Sequence, residues 1–208
     1  CHKSLYLHKY RPELKDEVSK ETEKRFEEGY EIGDLAQGLF PGGVLVPYDG
    51  LSHKEQIEMT ASLIAQGCKT IYEATFFYNG VFIKADILHQ GDAGWDIYEV
   101  KNATEVKAYY LDDASVQSYV ISGTGLPISR VFVVHVNNQY VRQGEIEVDE
   151  LFCKKDVTAV AKEKQVFIVE EIERQREMLK GNEPVIDIGP HCNEFYPCDF
   201  IGHCWSHI

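Results

Sequence analysis

Basic residues are scarce in this chain of 208 residues: 21 Lys and Arg stand against 34 Asp and Glu, a formal net charge of −13. That balance argues against general electrostatic attraction to nucleic acid or to an anionic membrane, for which a basic face is the usual footprint. Contact with a polyanion would have to come from a local basic patch or from a partner. Much of the acid falls in two amphipathic stretches, Glu13 to Glu31 and Glu163 to Glu177, where a solvated helix face accounts for it. Long apolar runs are also missing: none approaches the roughly 18 to 20 residues that cross a bilayer. No secretory leader is recognisable, although a first residue of Cys1 rather than Met leaves an upstream segment open. The expectation is a cytoplasmic protein with no membrane association. No internal repeat is visible. What is present, 44% hydrophobic and 26% charged residues, is ordinary for one soluble domain with a sizeable core. One domain over 1–208 is expected, with N-terminal helices in 1–50, a core in 51–150, and a helix and cysteine-rich tail in 151–208.

The strongest local signal is Asn79-Gly80 between two β-rich runs. Both residues accept the positive φ that a two-residue type I′ turn demands, so 71–78 and 81–88 should pair antiparallel. With Tyr78 opposite Val81, opposed positions keep a constant sum, which sets Glu73 directly opposite Asp86. Two like charges on one face are destabilising unless something positive lies between them, and a metal cation is the obvious candidate. The next strand brings Glu99 and Lys101, two apart and therefore on one side. Three carboxylates and an amine then meet. Hard divalent cations such as Mg²⁺ or Mn²⁺ seek oxygen ligands of this kind, alongside water and substrate phosphate. The bland alternatives are a surface ion pair for Glu99 and Lys101, and a salt bridge from Glu73 to Lys101 or Lys84.

The remaining elements follow from periodicity and punctuation. Residues 1–10 read as a short helix ending at Arg11-Pro12, and about 19–39 as a second, whose Gly29 and Gly33 ask for a packing reason because each costs about 1 kcal/mol against alanine. Val44 to Pro47 reads as a short extended piece. Ser52 with Glu55 forms a capping box that opens a helix over 53–65, closed by Gly67. A helix over 105–122, a buried strand over 130–136, an extended segment over 140–148 and a long helix over 157–179 complete the chain. The order α, β, β, β, α, β results.

Asp86 followed by Glu99-Val100-Lys101 on the next strand resembles the D…(D/E)-x-K core of the PD-(D/E)XK nuclease superfamily. Gln117 on the helix after that core, the start Cys1-His2-Lys3-Ser4-Leu5-Tyr6-Leu7, and three cysteines at the end narrow the resemblance to the RecB-like branch, which includes CRISPR-associated exonucleases and AddB-type helicase-nucleases. It implies an α/β fold with a restriction-endonuclease-like core, a mixed central sheet flanked by helices, and a cysteine-rich C-terminal segment docked near the N-terminus. It also implies roles: Asp86 and Glu99 as metal ligands together with the Val100 carbonyl, Lys101 as an electrostatic aid or water-positioning group, and Gln117 near the nucleophile or phosphate. Relatives carry a G-x-x-x-H motif on an early helix. Here Gly33 is followed by Asp34-Leu35-Ala36-Gln37, the histidine is absent, and Glu73 is the candidate substitute ligand.

Cys192, Cys198 and Cys204 are evenly spaced in a tail rich in turn formers, which buries little by itself and should owe its order to something it binds. In relatives with this layout, one cysteine near the N-terminus and three near the C-terminus hold a 4Fe-4S cluster, so Cys1, Cys192, Cys198 and Cys204 are its expected ligands by resemblance. Zinc remains open, because thiolates suit it and His191, His203 and His207 could join; free thiols or oxidation products are the third option. Cys68 and Cys153 read as small buried hydrophobes. The functional expectation is a metal-dependent nuclease, an exonuclease acting on DNA ends or single strands, with a helicase or nuclease partner implied by resemblance. The competing readings are a non-catalytic nucleic-acid-associated module and a zinc-stabilised interaction protein.

Overall fold

The structure is a computed structural model and describes residues 1–206; His207 lies outside the described residues. Two compact units are distinguished, one of Arg25–Ile168 and one of Cys1–Lys24 with Val169–Ile208.

The larger unit is α/β, with a mixed six-stranded sheet flanked by helices. Its strands β1 (Val44–Leu45), β2 (Thr70–Tyr78), β3 (Val81–Gln90), β4 (Trp95–Lys101), β5 (Ile128–Val136) and β6 (Phe152–Asp156) lie in sequence order. β1 and β2 are parallel, as are β4 and β5, and the remaining neighbours are antiparallel. Asn79 and Gly80 take φ values of 46° and 76°, the left-handed pair that a type I′ turn needs. The turn fixes the register: Tyr78 faces Val81, and Ile71 faces Leu88 at the far end.

One sheet face buries Ile71, Ala74, Phe76, Ala85, Leu88, Ile97 and Val133. It lies against α3 (His53–Ala65), α4 (Ala108–Gly123) and α6 (Thr158–Glu163), through residues such as Leu63, Tyr110, Ala114, Val120 and Ala161. The other face, with Tyr72, Ile87, Tyr98 and Val134, is covered by the C-terminal half of α2 (Lys20–Gln37) and by α5 (Val148–Leu151). The Ser52 hydroxyl accepts from Glu55 N while the Glu55 carboxylate accepts from Ser52 N, so local capping sets the start of α3 where the sequence places it.

Four expectations are corrected. Residues 140–147 are irregular, and the sixth strand falls at Phe152–Asp156 instead; Gly144 turns the chain at φ 90°, and only the later segment reaches the free edge of β5. The long C-terminal helix is two, α6 and α7 (Gln165–Met178), joined at Lys164. A Cβ on Gly29 or Gly33 would meet nothing within 4 Å, so neither glycine serves a close approach. Cys68 and Cys153 are half-buried rather than enclosed.

The smaller unit contains α1 (His2–Tyr10), the end of α7 and the tail with the short helix α8 (Ile201–Trp205). Its ends are tied together. Leu7 and Phe200 are fully buried, the His8 ring meets Phe200 edge-on at 4.8 Å, and Tyr10 OH donates to Leu179 O at 2.6 Å. Asp16 N donates to Asp199 O at 2.7 Å, and Gly202 N donates to Asp16 Oδ2 at 2.8 Å. Among the described residues no helix is long and apolar enough to cross a membrane.

Candidate active site

The register that the turn sets would pair Glu73 with Asp86, yet this is the one step at which the β2–β3 ladder is interrupted. Glu73 has φ 55°, an uncommon value for a residue with a side chain. Alternation slips at the same point in both strands. Ile71 and Ala74 share one face although they are three apart, and so do Ala85 and Leu88. Two acids directly opposed in a regular ladder would repel; here the backbone departs from the ladder at both. A strained backbone held in place by its surroundings is a recurrent mark of functional positions.

The acids remain within one another's field. Asp86 as a residue is half-buried, but its carboxyl is drawn onto the sheet, where Oδ2 accepts from Val100 N at 2.6 Å. Burial pushes its pKa well above the ordinary value. The negative charge of Glu99 adds to the rise, the Val100 N–H opposes it, and Glu73 raises it further. Burial also raises Glu73; Lys84 draws it back, while Glu99 and Asp34 push it up. Each cause is a physical one: loss of hydration and like-charge proximity favour the neutral carboxyl, and a cation or an N–H favours the charged one.

β4 supplies the rest. Glu99, only 6% exposed, receives Lys101 Nζ on Oε1 at 2.7 Å and Gln117 Nε2 on Oε2. Lys101 also bonds Asp113 Oδ2 at 2.7 Å and lies 5.2 Å from the Tyr110 ring centroid. Burial alone would lower the Lys101 pKa, but Glu99 and Asp113 outweigh it and the net shift is upward. Lys101 is therefore an ammonium at neutral pH. Gln117, 7% exposed, keeps its Oε1 buried with no hydrogen-bond partner among the described residues.

Direct contacts thus join Glu99 to Lys101 and to Gln117 of α4, and electrostatic influence links Glu73 on β2, Asp86 on β3 and Glu99 on β4. Glu73 makes no salt bridge with Lys84 or Lys101 among the described residues. Three neighbours escaped the sequence reading as site residues. Asp113 lies four before Gln117, one helical turn away on the same face, and that spacing could have found it. Asp34 and Lys84 reach Glu73 electrostatically; no local pattern marks either.

The four thiols also have a common setting. Cys1, Cys192, Cys198 and Cys204 line one cavity with Leu7, Phe200 and His191. Cys198 N donates to Cys192 O at 2.8 Å. Burial raises the Cys204 thiol, Lys3 lowers it, and Cys198 and Cys192 add to the rise. All six cysteines are free. Among the described residues, no group of three or more His, Cys, Asp or Glu is arranged to hold a metal ion, either here or around β2 to β4.

By chemistry of the donor set, both places suit a cation. Three carboxylates within one another's field are the oxygen donors that a hard divalent ion takes, and four thiols on one cavity are the donors of a thiolate-bound centre.

No protein-family model matches the chain, and no curated protein matches it by sequence. Among solved structures, it is similar to an alkaline exonuclease, LHK-Exo, from Laribacter hongkongensis, at 15% identity over 61% of this chain and 68% of that one, with a TM-score of 0.30. It is also similar to the protein SSO0001, at 10% identity over 84% of this chain and 80% of that one, with a TM-score of 0.27. Neither superposes closely enough to bear on function.

Proposed function

We propose that this protein is a metal-dependent nuclease, a DNA exonuclease that hydrolyses phosphodiester bonds. The observation that supports the reading is the electrostatic influence that Glu73, Asp86 and Glu99 exert on one another, with Lys101 paired to Glu99 and the hairpin ladder interrupted at the first two acids. Buried carboxylates that repel one another cost stability unless a cation or proton offsets them. Glu73, Asp86 and Glu99, with the Val100 carbonyl, would hold Mg²⁺ or Mn²⁺. When bound, such an ion lowers the pKa of a water and shields the charge that develops on the phosphate.

The chain's own residues supply the rest. Lys101 keeps its proton, so it donates to an anionic oxygen and stabilises charge rather than acting as a base. Gln117 holds one Glu99 oxygen and Lys101 the other, which fixes the carboxylate's orientation. Gln117 Oε1, without a partner among the described residues, is a free acceptor on the side chain that holds Glu99. Asp113 also holds Lys101 Nζ and limits its rotamers.

The test is manganese-dependent degradation of end-labelled DNA. Wild-type protein is expected to degrade it, and Glu99→Gln to lose that activity by on the order of 10³-fold. A folded wild-type protein inert with both Mg²⁺ and Mn²⁺ would support the non-catalytic module instead.

The four thiols are read as ligands of a 4Fe-4S cluster, with zinc as the alternative; support comes from the shared cavity and from the way it ties α1 to the tail. Anaerobically purified protein is expected to be brown, to absorb near about 400 nm and to contain iron, and to lose all three features on Cys198→Ser. Colourless protein carrying stoichiometric zinc would replace iron and sulfur with zinc.

A further inference from the structure

Lys84, on β3 two residues before Asp86, is the most unusual cation of the larger unit. Its Nζ is buried and, among the described residues, no hydrogen-bond acceptor reaches it. An ammonium offers three donors, and leaving them unfilled away from water is costly. What covers it is the ring of Tyr48, whose centroid lies 4.6 Å from Nζ. Tyr48 itself is 74% exposed, so its outer face is open and the ring has solvent to turn into. Its backbone is held: the buried Gln56 side chain donates to Tyr48 O at 3.2 Å and to Leu51 O at 3.0 Å.

Further aromatic surface lies on the same side of β3. Phe82, two before Lys84, stacks on His53 with centroids 4.2 Å apart and planes 27° apart; the exposed Phe77 faces Phe82 across the ladder. The same Nζ acts electrostatically on Glu73, the acid that also senses Glu99. A cation with empty donors therefore stands under one aromatic ring, on a strand that carries further aromatic side chains, within the field of Glu73.

We infer that Lys84 and Tyr48 form a nucleotide subsite for an unpaired polynucleotide strand, with a backbone phosphate on Lys84 and a base stacked on Tyr48. This rests on the nuclease reading and deepens it by naming the substrate as single-stranded. A phosphate oxygen fills the vacant donors, and an aromatic ring accepts the face of any base. A base inside a duplex has no free face to offer. The overall charge of −13 makes such a local contact necessary, since no general attraction draws the strand in.

The experiment is fluorescence anisotropy of the full-length protein in EDTA, where no cleavage occurs, with a labelled oligothymidylate and a blunt duplex of equal length. The single strand should bind tighter. Lys84→Met should weaken its binding about tenfold and reduce the slope of log K against log salt by about 0.7, with Lys84→Arg restoring the slope. Tyr48→Leu should weaken it about tenfold and Tyr48→Trp should not. Neither change should alter duplex binding. Tyr48 is exposed, so its variants fold even if those of Lys84 do not. Wild-type affinity and salt slope in both Lys84→Met and Tyr48→Leu would overturn the subsite while manganese-dependent cleavage still upheld the nuclease. Absence of both binding and cleavage in the unsubstituted protein would overturn both.

Discussion

Asp86→Asn is expected to abolish DNA degradation and, in the same protein, to raise the melting temperature of the metal-free form at pH 7.5. The two effects have one cause. Burial and the charge of Glu99 hold the Asp86 pKa well above its ordinary value, so the folded state keeps a proton at a pH where the unfolded chain has released it. Where the native state binds more protons than the unfolded one, stability falls as pH rises. The penalty is absent below the unfolded value of about 3.9, grows as pH climbs through the raised folded value, and is complete above it. Asparagine carries no charge to desolvate, and its carbonyl can still accept from Val100 N, the bond now made at 2.6 Å. The gain over wild type should therefore be large at pH 7.5 and vanish near pH 3.5. Thermal melts of the two proteins across that range check it. Mn²⁺ should raise the wild-type melting temperature more at pH 7.5 than at pH 5, because the acids must lose protons to bind it, and should raise that of Asp86→Asn much less. If Asp86→Asn were less stable than wild type at every pH, the carboxylate would be a satisfied structural group and the account of the site would fail.

Lys101→Met should lower both stability and activity. Lys101 is held by Glu99 and Asp113 at 2.7 Å each, and its loss leaves the nearly enclosed Glu99 with Gln117 alone. Removing one partner of a buried pair typically costs about 3 kcal/mol, and Glu73 and Asp86 already crowd the same place. The melting temperature should fall, and saturating Mn²⁺ should restore part of it, since a cation among the carboxylates replaces the missing positive charge. Activity should not return with it: loss of an electrostatic donor to the transition state lowers kcat by roughly 10² to 10³ fold. Denaturant melts with and without Mn²⁺, set beside single-turnover cleavage, separate the two consequences. Equal loss of kcat and of metal binding would instead make Lys101 only a support for Glu99.

Much of this was legible before any coordinates. Asn79-Gly80 names its turn because few residues tolerate positive φ, and the register of the eight residues on either side of it follows by counting. Ser52 and Glu55 name the first turn of α3 because a cap is a contact over three residues. Glu99 and Lys101 share a side because a strand repeats every two. The last strand was not legible: Tyr140 to Val148 has the composition of a strand, but β6 forms where the chain reaches β5, at Phe152–Asp156. Nor was the break in alternation at Glu73 and Asp86, since the constant sum that pairs them holds on both sides of the gap.

The sequence by itself determined the hairpin turn, the cap of α3 and the side shared by Glu99 and Lys101, because each depends on residues a few positions apart. Only the tertiary structure decided that Glu73 leaves its ladder, that Asp34 from α2 helps raise its pKa, and that Tyr48 roofs the Lys84 Nζ, which has no hydrogen-bond partner among the described residues. Those outcomes depend on desolvation and on charges brought together from distant parts of the chain, and no pattern along the sequence encodes the distance between them.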